Sequence, residues 1–342
     1  MRKPNRCGPW AVLPLLALLL GPVAAHAREP VTLATFGAIE RKHPKLDTLI
    51  PAEAKIEKLG EGYNWSEGPV WDKKEHVLYF SDVPENTVFR WKEGTGVREF
   101  LKPSGYTGES PRGGEPGSNG LLIDASGHLV LCQHGDRRVA RREGGKFVTI
   151  ADKYNGKRFN SPNDGVFNRK GDLYFTDPPY GLVGKNDDPE KEIPFNGVYR
   201  VSRDGEVTLL TKEMTFPNGI ALSPDESTLY VANSDPAKAL WMAFPVKDDG
   251  TLGEGKVFKD VTDWVKGQKG LPDGLKVDRD GNLFATGPGG VHVFAPDGTH
   301  LGTIATGEAT ANCGWGGDGS DLYITADMFL GRVKTSTKGK GF

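Results

Sequence analysis

The sequence predicts an all-β fold, a six-bladed β-propeller of four-stranded antiparallel blades around a central funnel. The first observation is a repeated unit, in which a glycine, a short apolar strand, a polar turn and a second apolar strand follow one another. The second observation is the composition. The chain has 46 glycines and only 4 methionines, and segments of helical periodicity are nearly absent, which favours short strands joined by tight turns.

The repeated unit occurs six times, and its sixth copy is the weakest. The first and second strands of the units are residues 67–71 and 77–82, 119–123 and 128–132, 164–167 and 172–177, 218–222 and 228–232, 273–277 and 282–286, and 313–316 and 321–325. A third strand follows in each unit, and often a fourth. The first strand of each unit is the most apolar and is expected to be innermost. Residues 54–60 are expected to supply the outer strand of the last blade and to close the ring.

The N-terminus has the pattern of a secretory signal peptide, residues 1–27. Three positive charges precede an apolar run, residues 11–20, and Ala25-His26-Ala27 is a small-residue cleavage pattern. The run is too short and wrongly flanked for a membrane span. We therefore expect an exported protein, periplasmic or secreted, without a membrane anchor after cleavage.

The rest of the chain divides into an N-terminal extension at residues 28–53, the propeller at 54–335 and a solvated basic tail at 336–342. The formal net charge is −2, and removal of the signal peptide makes it more negative, which argues against nucleic acid as a partner. Cys132 and Cys313 remain after cleavage. Two cysteines can form one disulfide in an oxidising compartment or stay as two buried thiols, and the sequence leaves both open.

Four short phrases precede innermost strands and carry oxygen-bearing side chains. They are Ser66-Glu67-Gly68-Pro69, Ser161-Pro162-Asn163-Asp164-Gly165, Phe216-Pro217-Asn218-Gly219 and Leu271-Pro272-Asp273-Gly274. If the ring closes, their Glu, Asn and Asp oxygens meet at its axis, and such oxygens are the ligands of a hard cation such as Ca²⁺. Asn-Gly and Asp-Gly are also hairpin-turn signals, so plain turns are the alternative. The place of the phrases before the first strand of a blade favours the axial site.

At these phrases, together with residues 174–181, the chain resembles the senescence marker protein / gluconolactonase / luciferin-regenerating family, over about residues 60–335. The resemblance implies a propeller with one divalent cation in its funnel and hydrolysis of a small-molecule lactone, sugar or aliphatic. It implies Glu67, Asn218 and Asp273 as metal ligands, Asn163 as a ligand of metal or substrate, and Asp273 as the catalytic residue. Ca²⁺ is the expected ion, with Zn²⁺, Mn²⁺ or Mg²⁺ as alternatives.

The chain also departs from the family pattern. Some members carry an arginine two residues before the third-blade Asn, where this chain has Ser161, which weakens the expectation of a sugar lactone. In the sixth unit Asn312-Cys313-Gly314 replaces a clean Asn-Gly or Asp-Gly, and no ligand is assigned there.

Two further residues are candidates for contacts with a substrate. His134, at the end of the second strand of unit two, is a candidate base or substrate contact, with blade packing as the alternative. Asn119 is a candidate substrate contact, with a plain turn residue as the alternative. The insertions at residues 105–116 and 180–196 are expected to shape the mouth of the funnel.

The expected reaction is metal-dependent opening of a lactone, in which the metal polarises the carbonyl and Asp273 orients and activates water. Two alternatives stay open. One is a metal-dependent esterase or phosphotriesterase on the same site, because a fold does not determine a substrate. The other is a non-catalytic binding propeller with a structural Ca²⁺. The sequence leaves the oligomeric state undetermined.

Overall fold

Strands alternate with tight turns along most of the chain, and residues 33–342 form six antiparallel sheets of four or five strands arranged in a ring. These residues and Met1 are the part of the chain that the computed structural model describes. The predicted signal peptide, residues 1–27, lies outside the described residues except for Met1. The prediction of an all-β, six-bladed propeller is confirmed.

The elements before the first blade are β1 (Thr35–Phe36), β2 (Ala38–Arg41), the single-turn helix α1 (Leu46–Leu49) and β3 (Ile56–Glu61). Blade one is β4 (Ser66–Asp72), β5 (Val77–Asp82), β6 (Thr87–Lys92) and β7 (Gly96–Leu101). Blade two is β8 (Ser118–Ile123), β9 (Leu129–Gln133), β10 (Arg138–Glu143) and β11 (Lys146–Ala151). A hairpin of β12 (Lys153–Tyr154) and β13 (Lys157–Arg158) follows.

Blade three is β14 (Gly165–Phe167), β15 (Leu173–Asp177), β16 (Gly197–Val201) and β17 (Val207–Thr211). Blade four is β18 (Pro217–Leu222), β19 (Thr228–Asp235), β20 (Lys238–Pro245) and β21 (Lys256–Asp260). Blade five contains β22 (Leu275–Val277), β23 (Leu283–Gly287), β24 (Gly290–Phe294) and β25 (His300–Ala305). Blade six contains β26 (Thr310–Gly316), β27 (Asp321–Ala326) and β28 (Phe329–Lys334). Short 3-10 helices occupy Lys185–Asp187 and Thr262–Val265.

The ring is closed by strands from the beginning of the domain. β3 pairs antiparallel with β28, so it takes the outer position that was predicted for residues 54–60. β1 then pairs with β3, and β2 pairs with β25 of blade five. Blades five and six therefore have five strands each instead of four, because part of the predicted extension, residues 28–53, adds a strand to both. Closure therefore pairs strands from the beginning of the domain with strands near its end.

The innermost strands pack directly against one another around the axis, and glycines allow this approach. A Cβ at Gly219 would lie 2.2 Å from the backbone oxygen of Asp273 in the next blade. A Cβ at Gly120 would lie 2.7 Å from the backbone oxygen of Asn163, and the Gly120 N–H donates to that same oxygen at 2.7 Å. Gly120 and Gly219 therefore serve contact between blades, which favours the axial interpretation over the hairpin one at these two positions.

Apolar clusters fill the spaces between neighbouring blades. One of them joins Leu78, Phe80 and Trp91 of blade one to Tyr323 and Leu330 of blade six. The rings of Trp91 and Tyr323 have centroids 5.6 Å apart. Because strands of both the first and the last blade contribute to this cluster, its burial stabilises the closed ring and not only each blade.

Cys132 and Cys313 are both buried, and neither forms a disulfide. Burial raises the pKa of the Cys313 thiol to about 12 and that of Cys132 well above its ordinary value. Of the two alternatives from the sequence, separate buried thiols are found. In the part of the chain that the structure describes, no helix has the length and apolar character needed to cross a membrane.

The C-terminal residues pack against the ring, so the expectation of a solvated tail was wrong. The Thr337 hydroxyl is buried and donates to Oδ2 of the fully buried Asp278 at 2.9 Å. The Lys340 N–H donates to the Val277 carbonyl at 3.0 Å. Gly339 lies against the Trp315 ring, where a Cβ would be only 2.1 Å from Cγ. The lysines suggested solvation, but the small residues between them let the segment lie on the blade surface.

We expect Thr337→Val to lower the melting temperature by about 2–6 °C. The substitution keeps the shape of the side chain but removes one of the two donors to Asp278 Oδ2, the other being Asn282 Nδ2, and the loss of this buried hydrogen bond to a carboxylate costs about 1–2 kcal/mol. Thermal unfolding followed by circular dichroism measures the change. Ser336→Ala is the control, since Ser336 is exposed and its loss is expected to leave the melting temperature unchanged. Equal melting temperatures for Thr337→Val and the wild type would contradict a stabilising tail.

Candidate active site

The four predicted metal ligands, Glu67, Asn163, Asn218 and Asp273, line one cavity of about 390 Å³. Glu67 and Asn218 are the second residues of β4 and β18, whereas Asn163 and Asp273 stand two residues before β14 and β22. Four blades thus each place one oxygen-bearing side chain at the same end of the innermost strands. Residues more than 200 positions apart in the chain come together there.

Irregularities in the inner strands help to aim these side chains. The register between β4 and β5 shifts between Glu67 and Val70, and the register between β18 and β19 shifts between Pro217 and Ile220. A bulge of this kind turns a side chain away from the regular alternation of the strand. In the inner strands of blades one and four, the predicted ligands Glu67 and Asn218 therefore lie at the bulges.

Burial and neighbouring negative charges oppose the ionisation of two of the carboxyl groups in the cavity, Glu67 and Asp273. Burial raises the pKa of Glu67 to about 8, and the charges of Asp164 and Glu115 add to this effect. Burial also raises the pKa of Asp273 well above its ordinary value, with further contributions from the charges of Glu67, Asp164 and Glu115. The Gly68 N–H offsets part of the cost by donating to Glu67 Oε2 at 2.9 Å. The cavity therefore favours an added proton or another positive charge.

The two amides of the set have their nitrogens engaged inside the protein. Asn218 Nδ2 donates to Ser234 Oγ at 3.0 Å. Asn163 Nδ2 lies 3.4 Å from Nε2 of His134. Asn163 Oδ1 is buried and has no hydrogen-bond partner among the described residues, and the same holds for Asp273 Oδ1. Each amide thus keeps its oxygen for a partner outside the protein's own hydrogen bonds.

Below this set, Asn312 of blade six has the opposite amide orientation. Its Nδ2 donates to Glu67 Oε2 at 3.2 Å and lies 3.4 Å from Asp164 Oδ2. Its Oδ1 accepts from the Cys313 N–H at 2.9 Å and lies 3.4 Å from Lys276 Nζ. Asn312 therefore presents a donor to Glu67, while its own oxygen is held within the protein.

The walls of the cavity come from inner-strand ends and from both predicted insertions. Asn119 lines the cavity as proposed for a substrate contact, and its Oδ1 is buried without a hydrogen-bond partner in the described part of the chain. Glu115 comes from the insertion at 105–116 and Tyr180 from the insertion at 180–196. The remaining lining residues combine polar and apolar side chains: Trp65, Ser234, Pro236, Val265, Gly270 and Leu271.

His134 and Ser161 lie behind the cavity wall. The His134 side chain is fully buried, and its Nδ1 lies 3.1 Å from Oε2 of Glu115. It touches two lining residues but is not itself part of the lining, so its role as a base or substrate contact stays a prediction. Ser161 Oγ donates to the Pro178 carbonyl at 2.5 Å and accepts the Gly181 N–H at 2.9 Å. Ser161 thus holds the start of the second insertion instead of facing a substrate.

Sequence reasoning missed Glu115 and Tyr180 as individual lining residues. Both lie in insertions that were predicted to shape the mouth, but a single acidic or aromatic residue in a loop belongs to no repeat. Tyr180 is placed by ring stacking on Phe216, with centroids 6.0 Å apart. Ser234 was missed because its hydroxyl acts through the hydrogen bond that it accepts from Asn218, a residue of the neighbouring strand. Only the fold brings these partners together.

The donor set suits a hard divalent cation. Two carboxylates and two amide oxygens face one space, and two of these oxygens are buried without a partner, which is costly unless a cation or water compensates. Among residues 33–342, no group of three or more His, Cys, Asp and Glu side chains is arranged to hold a metal ion. The candidate set includes only two such residues and depends on the amides of Asn163 and Asn218.

Comparison with known proteins agrees with this architecture. A family model described as "SMP-30/Gluconolactonase/LRE-like region" matches residues 65–327. The chain belongs to this family. The resemblance drawn from the axial phrases is thereby confirmed, and the matched region begins at the Trp65 and Glu67 end of blade one and extends into blade six.

Several known proteins are similar over most of the chain. A gluconolactonase from Zymomonas mobilis is 39% identical over 339 residues, which is 97% of this chain and 95% of that protein. A solved gluconolactonase structure from Xanthomonas campestris is 32% identical, has a TM-score of 0.77, and covers 90% of this chain and 99% of its own. A diisopropyl-fluorophosphatase from Loligo vulgaris is 27% identical, over 72% of this chain and 80% of that protein.

We expect the cation-free protein to lose stability as the pH rises from about 4.5 to about 8. The folded state raises the pKa of Glu67 from 4.5 to about 8, so in this range it binds more protons than the unfolded state, and deprotonation favours unfolding. Thermal unfolding in a chelator at several pH values measures this.

Glu67→Gln removes the titrating group, so its melting temperature should fall less with rising pH than that of the wild type. At pH 8 the difference should amount to several degrees, because each kcal/mol of stability corresponds to about 2–4 °C. Glu99→Gln, at an exposed position, is the control and should follow the wild type. Parallel pH profiles for Glu67→Gln and the wild type would show that Glu67 does not carry this effect.

Proposed function

We propose that this protein is a lactone-hydrolysing enzyme that uses one divalent cation. Relatives named gluconolactonase, similar over almost the full chain, support the reaction class. The observation that carries the proposal for the site is the convergence of Glu67, Asn163, Asn218 and Asp273 on one cavity. Two buried oxygens there lack a partner, and two carboxyl groups have raised pKa values.

Glu67, Asn163, Asn218 and Asp273 would hold the cation. A cation held there would supply Lewis-acid chemistry by drawing electron density from the lactone carbonyl oxygen. Ca²⁺ matches an all-oxygen set best, because it accepts carboxylate and amide oxygens in irregular geometry, whereas Mg²⁺ requires nearly ideal octahedral sites. Zn²⁺ and Mn²⁺ remain alternatives that metal replacement distinguishes.

Asp273 is the residue proposed to activate water. Its Oδ1 makes no hydrogen bond within the described residues, so it can orient a water molecule and accept its proton. The water oxygen then bonds to the carbonyl carbon, the ring C–O bond breaks, and the proton passes to the ring oxygen, which becomes the hydroxyl of the product acid. In the cation-free protein, burial raises the pKa of Asp273 and the neighbouring negative charge at Glu67 adds to this.

The walls of the cavity suit a small cyclic ester. Trp65 and Tyr180 offer flat surfaces, and Val265 and Leu271 offer aliphatic ones. Asn119 and Glu115 provide polar contacts for a hydroxyl-bearing ring. The cavity, at about 390 Å³, admits a monocyclic lactone with substituents. Because both polar and apolar contacts are present, we keep sugar and aliphatic lactones as the substrate classes to be compared.

Hydrolysis of an organophosphate is the second candidate. The diisopropyl-fluorophosphatase relative supports it, at 27% identity. The same cavity would have to accept a tetrahedral phosphorus centre instead of a planar ester. A non-catalytic propeller with a structural Ca²⁺ is the third reading. We further propose that the protein is exported, on the basis of the charged start and apolar run in residues 1–27, and N-terminal sequencing of the mature protein tests this.

We expect metal-dependent turnover of at least one lactone class, lost in Asp273→Asn. Removal of the carboxylate base should lower kcat by about a hundredfold or more, with an unchanged far-ultraviolet circular dichroism spectrum. The assay is pH-stat hydrolysis of aldonolactones, aliphatic γ- and δ-lactones, an aryl ester and a fluorophosphate. Each is run with chelator and then with Ca²⁺, Zn²⁺, Mn²⁺ or Mg²⁺ restored.

Asp280→Asn is the matched control, because Asp280 lies exposed in a turn of the same blade. It should retain full turnover. Turnover of the fluorophosphate alone would favour the second candidate. Absence of any turnover, combined with a rise of the melting temperature on adding metal, would favour a binding propeller with a structural ion.

A further inference from the structure

The buried histidine of blade two lies between a charged residue and one of the proposed cation ligands. His134 Nδ1 is 3.1 Å from Glu115 Oε2, and His134 Nε2 is 3.4 Å from Asn163 Nδ2. The side chain has no exposed surface. Gly181 packs over it so closely that a Cβ there would lie 2.7 Å from the His134 Cβ. Nε2 is therefore the ring nitrogen with a hydrogen-bond partner among the described residues, whereas Nδ1 lies close to Glu115 without hydrogen-bond geometry.

The charge of Glu115 favours one arrangement of the three groups. A neutral imidazole has one N–H donor and one nitrogen acceptor, and a carboxylate can only accept. A carboxylate oxygen 3.1 Å from Nδ1 favours the tautomer that carries the hydrogen on Nδ1, and Nε2 then accepts. Because Nε2 accepts, the Asn163 amide turns its NH₂ group toward this nitrogen. The amide oxygen, Oδ1, is then turned away from His134 and is the buried atom without a partner in the described residues.

The other axial asparagines show that neighbours decide this orientation. Asn218 has its Nδ2 engaged by Ser234 Oγ, so its oxygen is left over. Asn312 has its Oδ1 engaged by the Cys313 N–H, and its Nδ2 faces Glu67. The same side chain at corresponding blade positions thus presents an oxygen in one case and an N–H in the other. If the neighbouring groups did not fix the rotation of an amide, its NH₂ group would face the cation in part of the molecules.

We propose that Glu115 and His134 are positioning residues that fix the amide of Asn163 with its oxygen, and not its nitrogen, toward the cation. Glu115 sets the tautomer of His134, and His134 sets the rotation of the amide. This inference rests on the proposed cation site. Partners behind a first ligand commonly change metal affinity by about ten- to a hundredfold when removed.

A double-mutant cycle on cation affinity tests the inference. The affinity for Ca²⁺ is measured by competition with a chromophoric chelator for the wild type, His134→Phe, Asn163→Asp and the double variant. Phe is similar in shape but cannot accept a hydrogen bond, so His134→Phe should weaken Ca²⁺ binding by about tenfold or more. Asn163→Asp has oxygen at both terminal positions, so orientation no longer matters. In that background His134→Phe should change the affinity by less than about threefold.

Two further variants complete the experiment. His128→Phe replaces a histidine of the same blade that is not part of the cavity and should bind Ca²⁺ as the wild type does. Glu115→Gln changes the partly exposed neighbour of His134, so it tests the inference if His134→Phe does not fold. Its loss of affinity should be larger with Asn163 than in the Asn163→Asp background.

Each outcome decides the inference. Equal losses in the two backgrounds would show that His134 supports the site by packing alone and would overturn the proposal. Unchanged affinity of His134→Phe would overturn it as well, while the proposed metal site would stand. Failure of the wild type to bind any of the four divalent cations would overturn both this inference and the cation site.

Discussion

Convergence of two buried carboxyl groups on the axis of the ring is the constraint on which the site depends. Burial raises the pKa of both Glu67 and Asp273, the charge of Glu67 adds to the effect at Asp273, and the charge of Asp164 adds to it at both. Such an arrangement costs folding free energy unless protons or a cation compensate. The ring tolerates it because the surrounding scaffold is rigid: inner strands in contact, closure by β3, and hydrophobic clusters between blades.

Close packing at the axis explains why the repeated phrases contain glycine after the polar residue. In blades two and four, Gly120 and Gly219 face a backbone oxygen of the next blade at distances that exclude any Cβ. The polar side chain can then stand at the axis while its own backbone lies against the neighbouring blade. Ligand geometry and ring geometry are thus coupled at each phrase, so a change at the glycine would disturb both.

Around this core the two insertions supply further lining residues of the cavity. Glu115 and Tyr180 reach the cavity from two separate loops, and loops on a rigid scaffold are where specificity usually resides. Ser161 holds the second loop through Pro178 and Gly181. The contacts available to a substrate are therefore set by loop residues and by aromatic and aliphatic walls, while the proposed cation ligands come from the blades.

The local pattern was sufficient to predict the six units, the inner strands and the set Glu67, Asn163, Asn218 and Asp273, because blade repeats place equivalent positions at one axis. Periodicity of apolar residues and the placement of glycine are local properties, and they carry over directly into strands and close contacts. The sequence also contains Glu115, His134 and Asn312, but it does not show which residues they contact. Which atom of an amide faces the cavity depends on hydrogen bonds such as that between Asn312 and Glu67, 245 positions apart. The packed tail was likewise decided by the tertiary structure, because its buried threonine and glycine find their partners only once the ring has closed.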